Sequence, residues 1–198
     1  MIRLCLCILP LLLLSCEADL AVENDWPVAG GSAYRKQFSN LSRIDTANVH
    51  DLEVSWIYRT NDAGEGTQIQ CNPIVLEGIL YATSPSLKLF ALDAKSGEEL
   101  WVFDPAEVFA KDEMGRNVNR GVTYWSDGSE SRLFYVVGSY LLSVHARNGM
   151  LDTDFGTNGM IDLREGLDRD VSSLYVTATS PGIIYKDLLI MGSRVSEA

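Results

Sequence analysis

Short apolar runs alternate with polar turns along most of the chain. At 53–60, Val54, Trp56 and Tyr58 alternate with mostly polar residues, with the period of two that is typical of β-strands. Four of the apolar runs, at 69–75, 79–83, 87–92 and 101–104, predict one four-stranded sheet. The other predicted strands are 53–60 before this sheet, 122–125, 132–137 and 140–145 in a second sheet, and 175–179, 182–185 and 188–192 in a third.

Two stretches lack this pattern. Residues 148–170 are rich in Gly, Asn and Asp, so they are predicted to be mostly loop. Residues 41–52 predict a short helical turn, which Asp45 or Thr46 would cap with a side-chain oxygen.

The segment ALDAKSGEELW, residues 91–101, contains a turn that recurs along the chain. Asp93 is suited to accept hydrogen bonds from the backbone of this turn, and Gly97 can take a positive φ without a Cβ clash. Trp101 can cover the turn and fill the gap between neighbouring sheets. A weaker copy, SVHARNG at 143–149, repeats Gly97 as Gly149 after 52 residues, with Thr153 in the place of Trp101.

This repeat decides the predicted fold class. A period near 50 residues with several short strands in each period is typical of β-propeller blades, and we prefer it to a β-sandwich. The chain is therefore predicted to be all-β, with two to three blades of a β-propeller. Because a propeller closes with about four to eight blades, the sequence is expected to be the N-terminal part of a longer protein.

Composition excludes some functions. The 198 residues carry a formal charge of −11, with a pI near 4.5, and this balance argues against a nucleic acid partner, which needs clustered Lys and Arg. The acidity is interpreted as a solvated surface. A hydrophobic content of 46% excludes a wholly disordered chain.

The N-terminus has the features of a targeting segment. Residues 1–15 contain one charge and an apolar stretch that is too short to span a bilayer. The sequence LLSC at 13–16 resembles the lipobox of bacterial lipoproteins, so Cys16 is the predicted lipidation site. An ordinary cleaved signal peptide is the alternative. Residues 16–25 would be a tether, and the protein would face the periplasm, anchored to the membrane by lipid.

Few residues suggest chemistry by themselves. Once the leader and Cys16 are set aside, Cys71 is the only cysteine, and it is predicted to be a small buried residue. His50 and His145 are predicted to be surface or turn residues. Arg120 stands at the start of a strand, where it could grip a carboxylate with two hydrogen bonds. It could equally be a surface residue paired with an acidic side chain, namely Asp127 or Glu130.

Four segments resemble the pyrroloquinoline quinone (PQQ)-dependent dehydrogenases, and in particular their glucose-dehydrogenase-like branch. They are DWPVAGGSAYRKQFSNLSRIDTANVHDLEVSW at 25–56, ALDAKSGEELW at 91–101, NRGVTYW at 119–125 and TSPGIIYKDLLIMGSRVSE at 179–197. The resemblance implies that residues 26–198 are the N-terminal part of an eight-bladed propeller. PQQ would lie near the propeller axis, and a calcium ion would bridge the cofactor and the protein.

The resemblance also implies a set of site residues. Arg120 matches the arginine that binds a carboxylate of PQQ, and Gln70 stands where many members have a glutamate that touches the cofactor. Glu197 matches an acidic calcium ligand, as suits a hard cation that prefers oxygen. The residues expected to contact PQQ are Gln70, Arg120, Thr179, Arg194, Val195 and Ser196.

Two departures from the family leave the substrate open. The adjacent cysteines of the alcohol-oxidising branch are absent from residues 113–118, and the histidine that sugar-oxidising relatives place there is also missing. The catalytic aspartate base and the stacking tryptophan are expected beyond Ala198.

The resemblance implies oxidation of the CH–OH group of a sugar or alcohol to a carbonyl, with electrons passing through PQQ to a quinone or cytochrome acceptor. The chain alone is expected to be inactive, because the base lies outside it. The alternative is a non-enzymatic function, in which an outer-membrane lipoprotein propeller serves as an assembly scaffold.

Overall fold

The computed structural model describes residues 25–32, 34–115, 118–171 and 174–195, and its regular structure is dominated by antiparallel β-strands. This confirms the predicted all-β class. Each of two four-stranded sheets runs in chain order from one edge to the other. The first sheet contains β1 (Ile74–Leu76), β2 (Ile79–Thr83), β3 (Leu89–Asp93) and β4 (Glu99–Phe103). The second contains β5 (Thr123–Ser126), β6 (Ser131–Val137), β7 (Tyr140–His145) and β8 (Met160–Asp162).

The remaining strands form two antiparallel pairs at the predicted position of a third sheet. Strand β9 (Val176–Thr177) pairs with β12 (Arg194–Val195), and β10 (Ile183–Tyr185) pairs with β11 (Leu188–Ile190). Strand β10 contacts β5 of the second sheet. The N-terminal segment is also tied to the sheets, since Trp26 exchanges two backbone hydrogen bonds with Val75, of 2.7 and 3.0 Å.

The second sheet is packed on both faces. Along β6, the buried Leu133, Tyr135 and Val137 contact the core of the first sheet, whereas Phe134 and Val136 pack towards Ala178 in the third region. The period of two therefore places apolar side chains on both faces. Each fully buried leucine or isoleucine contributes on the order of 1.5–3 kcal/mol relative to an exposed one, so this packing is a large part of what joins the sheets.

Tryptophan side chains link neighbouring sheets at their outer turns. The indole Nε1 of Trp101 donates to the carbonyl oxygen of Ala146, at 3.0 Å, and its ring covers Gly149. One repeat earlier, Trp56 Nε1 donates to the carbonyl oxygen of Ala94, at 3.3 Å. The prediction that Trp101 fills the gap between sheets is confirmed, but the turn that it covers belongs to the next sheet rather than to its own.

The turn at 93–97 has the predicted chemistry. Asp93 Oδ1 accepts from the backbone N–H groups of Lys95 and Ser96, at 3.1 and 2.7 Å, and Gly97 has φ +74°. A Cβ atom on Gly97 would lie 2.5 Å from the ring of Trp56. Glycine is therefore required here by the backbone conformation and also by the close approach of the ring.

Two strand predictions need correction. Residues 53–60 form no strand within the described range 34–115; Trp56 and Tyr58 pack on the first sheet, but the backbone has no paired neighbour. Conversely, the predicted loop 148–170 contains β8. In the first sheet Phe90 pairs with Val102, and in the second Leu142 pairs with Met160. Leu142 follows Phe90 by 52 residues, but Met160 follows Val102 by 58. The second repeat thus contains six additional residues before β8. Their loop-like composition explains why the sequence did not predict this strand.

The described part of the chain contains little helix. Two 3₁₀ helices, Val49–Asp51 and Pro105–Glu107, each contain three residues. The helical turn predicted within 41–52 is present as Val49–Asp51, but its N-cap is Asn48, whose side chain makes no capping hydrogen bond. Asp45 Oδ1 instead accepts from the backbone N–H of Ala47, at 2.7 Å, in the turn before it. Within the described ranges, no helix is long and apolar enough to cross a membrane.

Candidate functional site

Three segments, which lie before β1, before β5 and between β9 and β10, meet through backbone hydrogen bonds. The backbone N–H of Asn72, before β1, donates to the carbonyl oxygen of Arg120, at 3.1 Å. The backbone N–H of Arg120, before β5, donates in turn to the carbonyl oxygen of Thr179, at 2.7 Å. We call this row of backbone hydrogen bonds, Asn72 to Arg120 to Thr179, the inner row. It brings together segments that are 48 and 59 residues apart in sequence.

The side chain of Arg120 is exposed. Its Nε donates to Oε1 of Gln70, at 3.2 Å, so two residues predicted to touch the cofactor touch each other. Among the described residues, no carboxylate lies within ion-pair distance of Arg120. Within the described ranges, the partner of the guanidinium is thus the neutral side chain of Gln70.

The alternative pairing of Arg120 with a nearby acidic side chain is not observed. Asp127 Oδ1 accepts from the backbone N–H groups of Ser129 and Glu130, both at 2.8 Å, and these bonds lower the pKa of Asp127 to about 2. Glu130 is paired with Arg132, at 2.9 Å. Both carboxylates thus stabilise their own turn and strand.

The turn around Arg120 is tightly packed. Gly121 has φ +143°, and a Cβ atom there would lie 3.1 Å from the carbonyl oxygen of Asn72. The Oδ1 atom of Asn119 accepts from the backbone N–H of Gly121, at 2.8 Å, and from Oγ1 of Thr83, at 3.2 Å. Asn119 is therefore fixed by Thr83 of the first sheet, and Gly121 is fixed by Asn119.

Sequence reasoning missed the asparagines of this site. Asn72 donates both its backbone N–H and its Nδ2 to the carbonyl oxygen of Arg120, each at 3.1 Å. Asn119 is buried, with 5% of its surface exposed. An asparagine shortly before β1 and another shortly before β5 could have indicated these contacts in the sequence. A buried amide needs hydrogen-bond partners.

The remaining predicted residues lie in the third region. Arg194 and Val195 form β12, and both are exposed. Arg194 pairs with Thr177, which is two residues before the half-buried Thr179, so these residues share one edge of the fold. Ser196, Glu197 and Cys16 lie outside the described residues.

Acidic groups elsewhere are engaged in structural contacts. Asp62 accepts hydrogen bonds from Ser84 and Ser86 at the turn between β2 and β3. Burial raises the pKa of Asp62, but hydrogen bonds from Ser84, Ser86 and Thr60 outweigh this effect and lower it. Among the described residues, no three His, Cys, Asp or Glu side chains form a group that could hold a metal ion.

The profile of the family described as "PQQ: Glucose/ethanol/alcohol dehydrogenase, beta-propeller domain" matches residues 26–198. The chain belongs to this family. Its sheets are thus part of a β-propeller, which confirms the predicted fold class.

Known relatives of this PQQ family chain include dehydrogenases of two kinds. Quinoprotein glucose dehydrogenase of Escherichia coli (strain K12) is 31% identical over 88% of this chain and 24% of its own length. The dehydrogenase subunit of alcohol dehydrogenase (quinone) of Gluconobacter oxydans (strain 621H) is 34% identical over 65% of the chain and 16% of its own length. The chain spans about a quarter of the length of the glucose dehydrogenases that it matches.

The solved structures agree with this assignment. The crystal structure of quinohemoprotein alcohol dehydrogenase from Comamonas testosteroni matches 86% of this chain and 23% of its own, with a TM-score of 0.65 and 25% identity. Because the match extends over nearly all of the described region, it supports the arrangement of the sheets as well as the individual hairpins.

The geometry around Arg120 fits the cofactor that the family name implies. An exposed guanidinium with a neutral neighbour suits a ligand that carries carboxylates. For calcium, the described residues offer no ligand cluster, and the predicted ligand Glu197 lies outside them.

Proposed function

We propose that the intact protein is a PQQ-dependent dehydrogenase that oxidises the CH–OH group of a sugar or alcohol to a carbonyl. The observation that carries this proposal is Arg120, an exposed cation held by Gln70 at the inner row, where three segments meet. Membership of the PQQ family supports the choice of ligand. Electrons would pass to a quinone or cytochrome acceptor.

In this proposal, the residues of this chain bind and orient the cofactor. Arg120 donates from its guanidinium to a carboxylate of PQQ, while the inner row holds its backbone. Bound PQQ supplies the quinone that accepts electrons from the substrate. Gln70, Thr179, Arg194, Val195 and Ser196 complete the contacts, and Glu197 contributes a carboxylate oxygen to a calcium ion.

The substrate class is proposed only as far as the family and the residues support it. The relatives named above act on glucose or on alcohols, as their names state. This chain has neither the adjacent cysteines nor the histidine expected at 113–118. A screen of glucose, other aldoses and short primary alcohols with the intact protein is therefore the appropriate comparison.

The proposed location is the periplasm, with a lipid anchor at Cys16. The lipobox-like LLSC sequence supports it. Labelling cells with a radioactive or alkyne-tagged fatty acid should mark the wild-type protein and leave Cys16→Ser unmarked. Equal labelling of both proteins would contradict the assignment of Cys16.

A titration of the intact apoprotein with PQQ in the presence of Ca²⁺ tests the cofactor. We expect Arg120→Ala to weaken binding by about 10- to 100-fold, because a hydrogen bond to a charged group contributes roughly 1.5–3 kcal/mol. Arg120→Lys keeps the charge but cannot form the bidentate hydrogen bond, so its affinity for PQQ should be intermediate. Dye reduction with a sugar or alcohol should follow the same order.

A matched control separates the site from the surface. Arg132→Ala removes an arginine that pairs with Glu130 and Asp152, away from the inner row, and should leave the PQQ affinity unchanged. If the wild-type protein binds no PQQ, the enzyme proposal fails, and the scaffold alternative gains support. If Arg120→Ala binds as tightly as the wild type, the site assignment is wrong.

A further inference from the structure

The buried side chain of Asn119 connects the turn that carries Arg120 to the first sheet. Its Oδ1 accepts from Oγ1 of Thr83 on β2, at 3.2 Å, and from the backbone N–H of Gly121, at 2.8 Å. Asn119 is 5% exposed and Thr83 is 2% exposed, so this contact is shielded from water. One amide oxygen thus joins a residue of the first sheet to the segment that leads into the second.

This contact acts on the position of Arg120. Asn119 and Gly121 are its two neighbours in sequence, and both are held through the same oxygen. The carbonyl oxygen of Arg120 is fixed separately by Asn72, and its N–H by Thr179. Without the amide oxygen, the buried hydroxyl of Thr83 and the N–H of Gly121 would lose their acceptor, and the turn would have to rearrange to satisfy them.

The side chain of Arg120 has no comparable constraint of its own. Its only hydrogen bond within the described ranges is the one to Gln70, and the side chain is exposed. The position of its guanidinium relative to a ligand therefore depends on the position of the backbone at 119–121. A small displacement of that backbone is expected to misalign the two N–H donors of a bidentate contact. Such a contact depends on geometry as well as on charge.

We propose that Asn119 is a positioning residue for recognition of the cofactor carboxylate, acting through Arg120 without touching the ligand. Thr83 is its partner in this role and belongs to the first sheet, whereas Arg120 lies in the segment that leads into the second. The affinity for the cofactor thereby depends on the packing between two sheets. This inference rests on the proposed function, because the ligand in question is PQQ.

The test measures the dissociation constant of PQQ by quenching of tryptophan fluorescence in the intact apoprotein with Ca²⁺ present. Asn119→Ala should weaken binding by about tenfold, the effect of losing one or two hydrogen bonds. Thr83→Val and Thr83→Ser form a matched pair. The valine variant keeps the shape and loses the donor, so it should bind about threefold more weakly, whereas the serine variant keeps the hydroxyl and should bind within about twofold of the wild type.

A double-mutant cycle distinguishes positioning from a general structural role. If Asn119 acts through Arg120, then Asn119→Ala in an Arg120→Ala background should cause less than about a twofold further loss. Additive losses would overturn the proposal, and so would an unchanged affinity of Asn119→Ala. Should Asn119→Ala fail to fold, the Thr83 pair decides, since equal affinities of the valine and serine variants also overturn it.

The same titration separates the two proposals. A wild-type protein that binds no PQQ overturns the proposed function, and this inference with it. A wild-type protein that binds PQQ normally, together with Asn119→Ala of equal affinity, overturns only the inference.

Discussion

Two kinds of contact join successive sheets, one at the inner row and one at the outer turns. At the inner row, backbone groups of Asn72, Arg120 and Thr179 bond to one another, and the side chain of Arg120 stays exposed. At the outer turns, the side chains themselves form the contact, as when Trp101 covers Gly149 and donates to Ala146. Where the backbone makes the connection, side chains remain available for a ligand.

This difference separates stability from binding. The outer contacts bury large aromatic surfaces, which contribute mainly to the free energy of unfolding. The inner row buries little side-chain surface at Arg120 but sets the geometry of a charged group. Changes at the outer turns of the intact protein should therefore alter the free energy of unfolding, and changes at the inner row should alter the affinity for PQQ.

The largest expected effect is that of Trp101→Ala. Loss of the indole leaves a cavity above the turn at Ala146 and Gly149, and it should lower the free energy of unfolding by about 3–5 kcal/mol. Urea denaturation of the apoprotein measures this. Trp101→Phe keeps an aromatic ring and loses the N–H donor, so its loss should be smaller. A change below about 1 kcal/mol in Trp101→Ala would contradict the role of the outer contact.

Gly149→Ala should be the next most destabilising change. Gly149 has φ +73°, and a Cβ atom would lie 2.5 Å from the Trp101 ring. Gly66→Ala is a matched control, because Gly66 has φ +76° but no atom within 4 Å of the added Cβ. We expect about 1–2 kcal/mol for the control, from the backbone alone, and at least about 1 kcal/mol more for Gly149→Ala. Equal losses in urea denaturation would show that the ring contact is unimportant.

Gln70→Glu addresses the inner row. A carboxylate 3.2 Å from Nε of Arg120 would form an ion pair and compete with the cofactor for the guanidinium. We expect PQQ to bind about fivefold more weakly, since an exposed ion pair contributes up to about 1 kcal/mol. The thermal midpoint of the apoprotein should hardly change. Tighter binding of PQQ by Gln70→Glu would contradict the competition between carboxylates.

The smallest expected effect concerns Asp62, which ties the segment containing Trp56 to the first sheet. Its pKa is lowered in the folded protein, so the stabilisation that it contributes is present above the unfolded pKa and is lost as the pH falls through the folded value. Asp62→Asn should therefore reduce the loss of stability on acidification from pH 5 to pH 3, by less than about 1 kcal/mol because the group is only partly buried. Identical pH profiles in urea denaturation would refute this.

The strand pattern was predictable because each strand carries it locally. The apolar run in 132–137 identifies β6 almost to the residue, and it is continuous because both faces of the second sheet are covered. Alternation misleads at 53–60, where Trp56 and Tyr58 pack on the first sheet without a paired strand beside them. Strand β8 was missed because polar loop residues directly precede it.

Prediction of the site reached Arg120 but not its surroundings. Residue types and the family resemblance identify Arg120, Gln70 and Thr179, and the structure places the three together. Their roles towards PQQ stay predictions. Reasoning from the residues alone left open whether Arg120 pairs with Asp127 or Glu130, and the contact with Thr83 through Asn119 joins residues 36 positions apart. A local pattern carries no information about such partners.

The sequence by itself determined the all-β class, the repeat near 50 residues, the chemistry of the turn at Asp93 and Gly97, and the family. These features depend on alternation, turn preference and motif, which act over a few neighbouring residues. Only the tertiary structure decided that Trp101 covers the next turn rather than its own, and that Gln70 is the partner of Arg120. Those choices depend on how close-packed sheets meet in space, where backbone and side-chain partners come from distant parts of the chain.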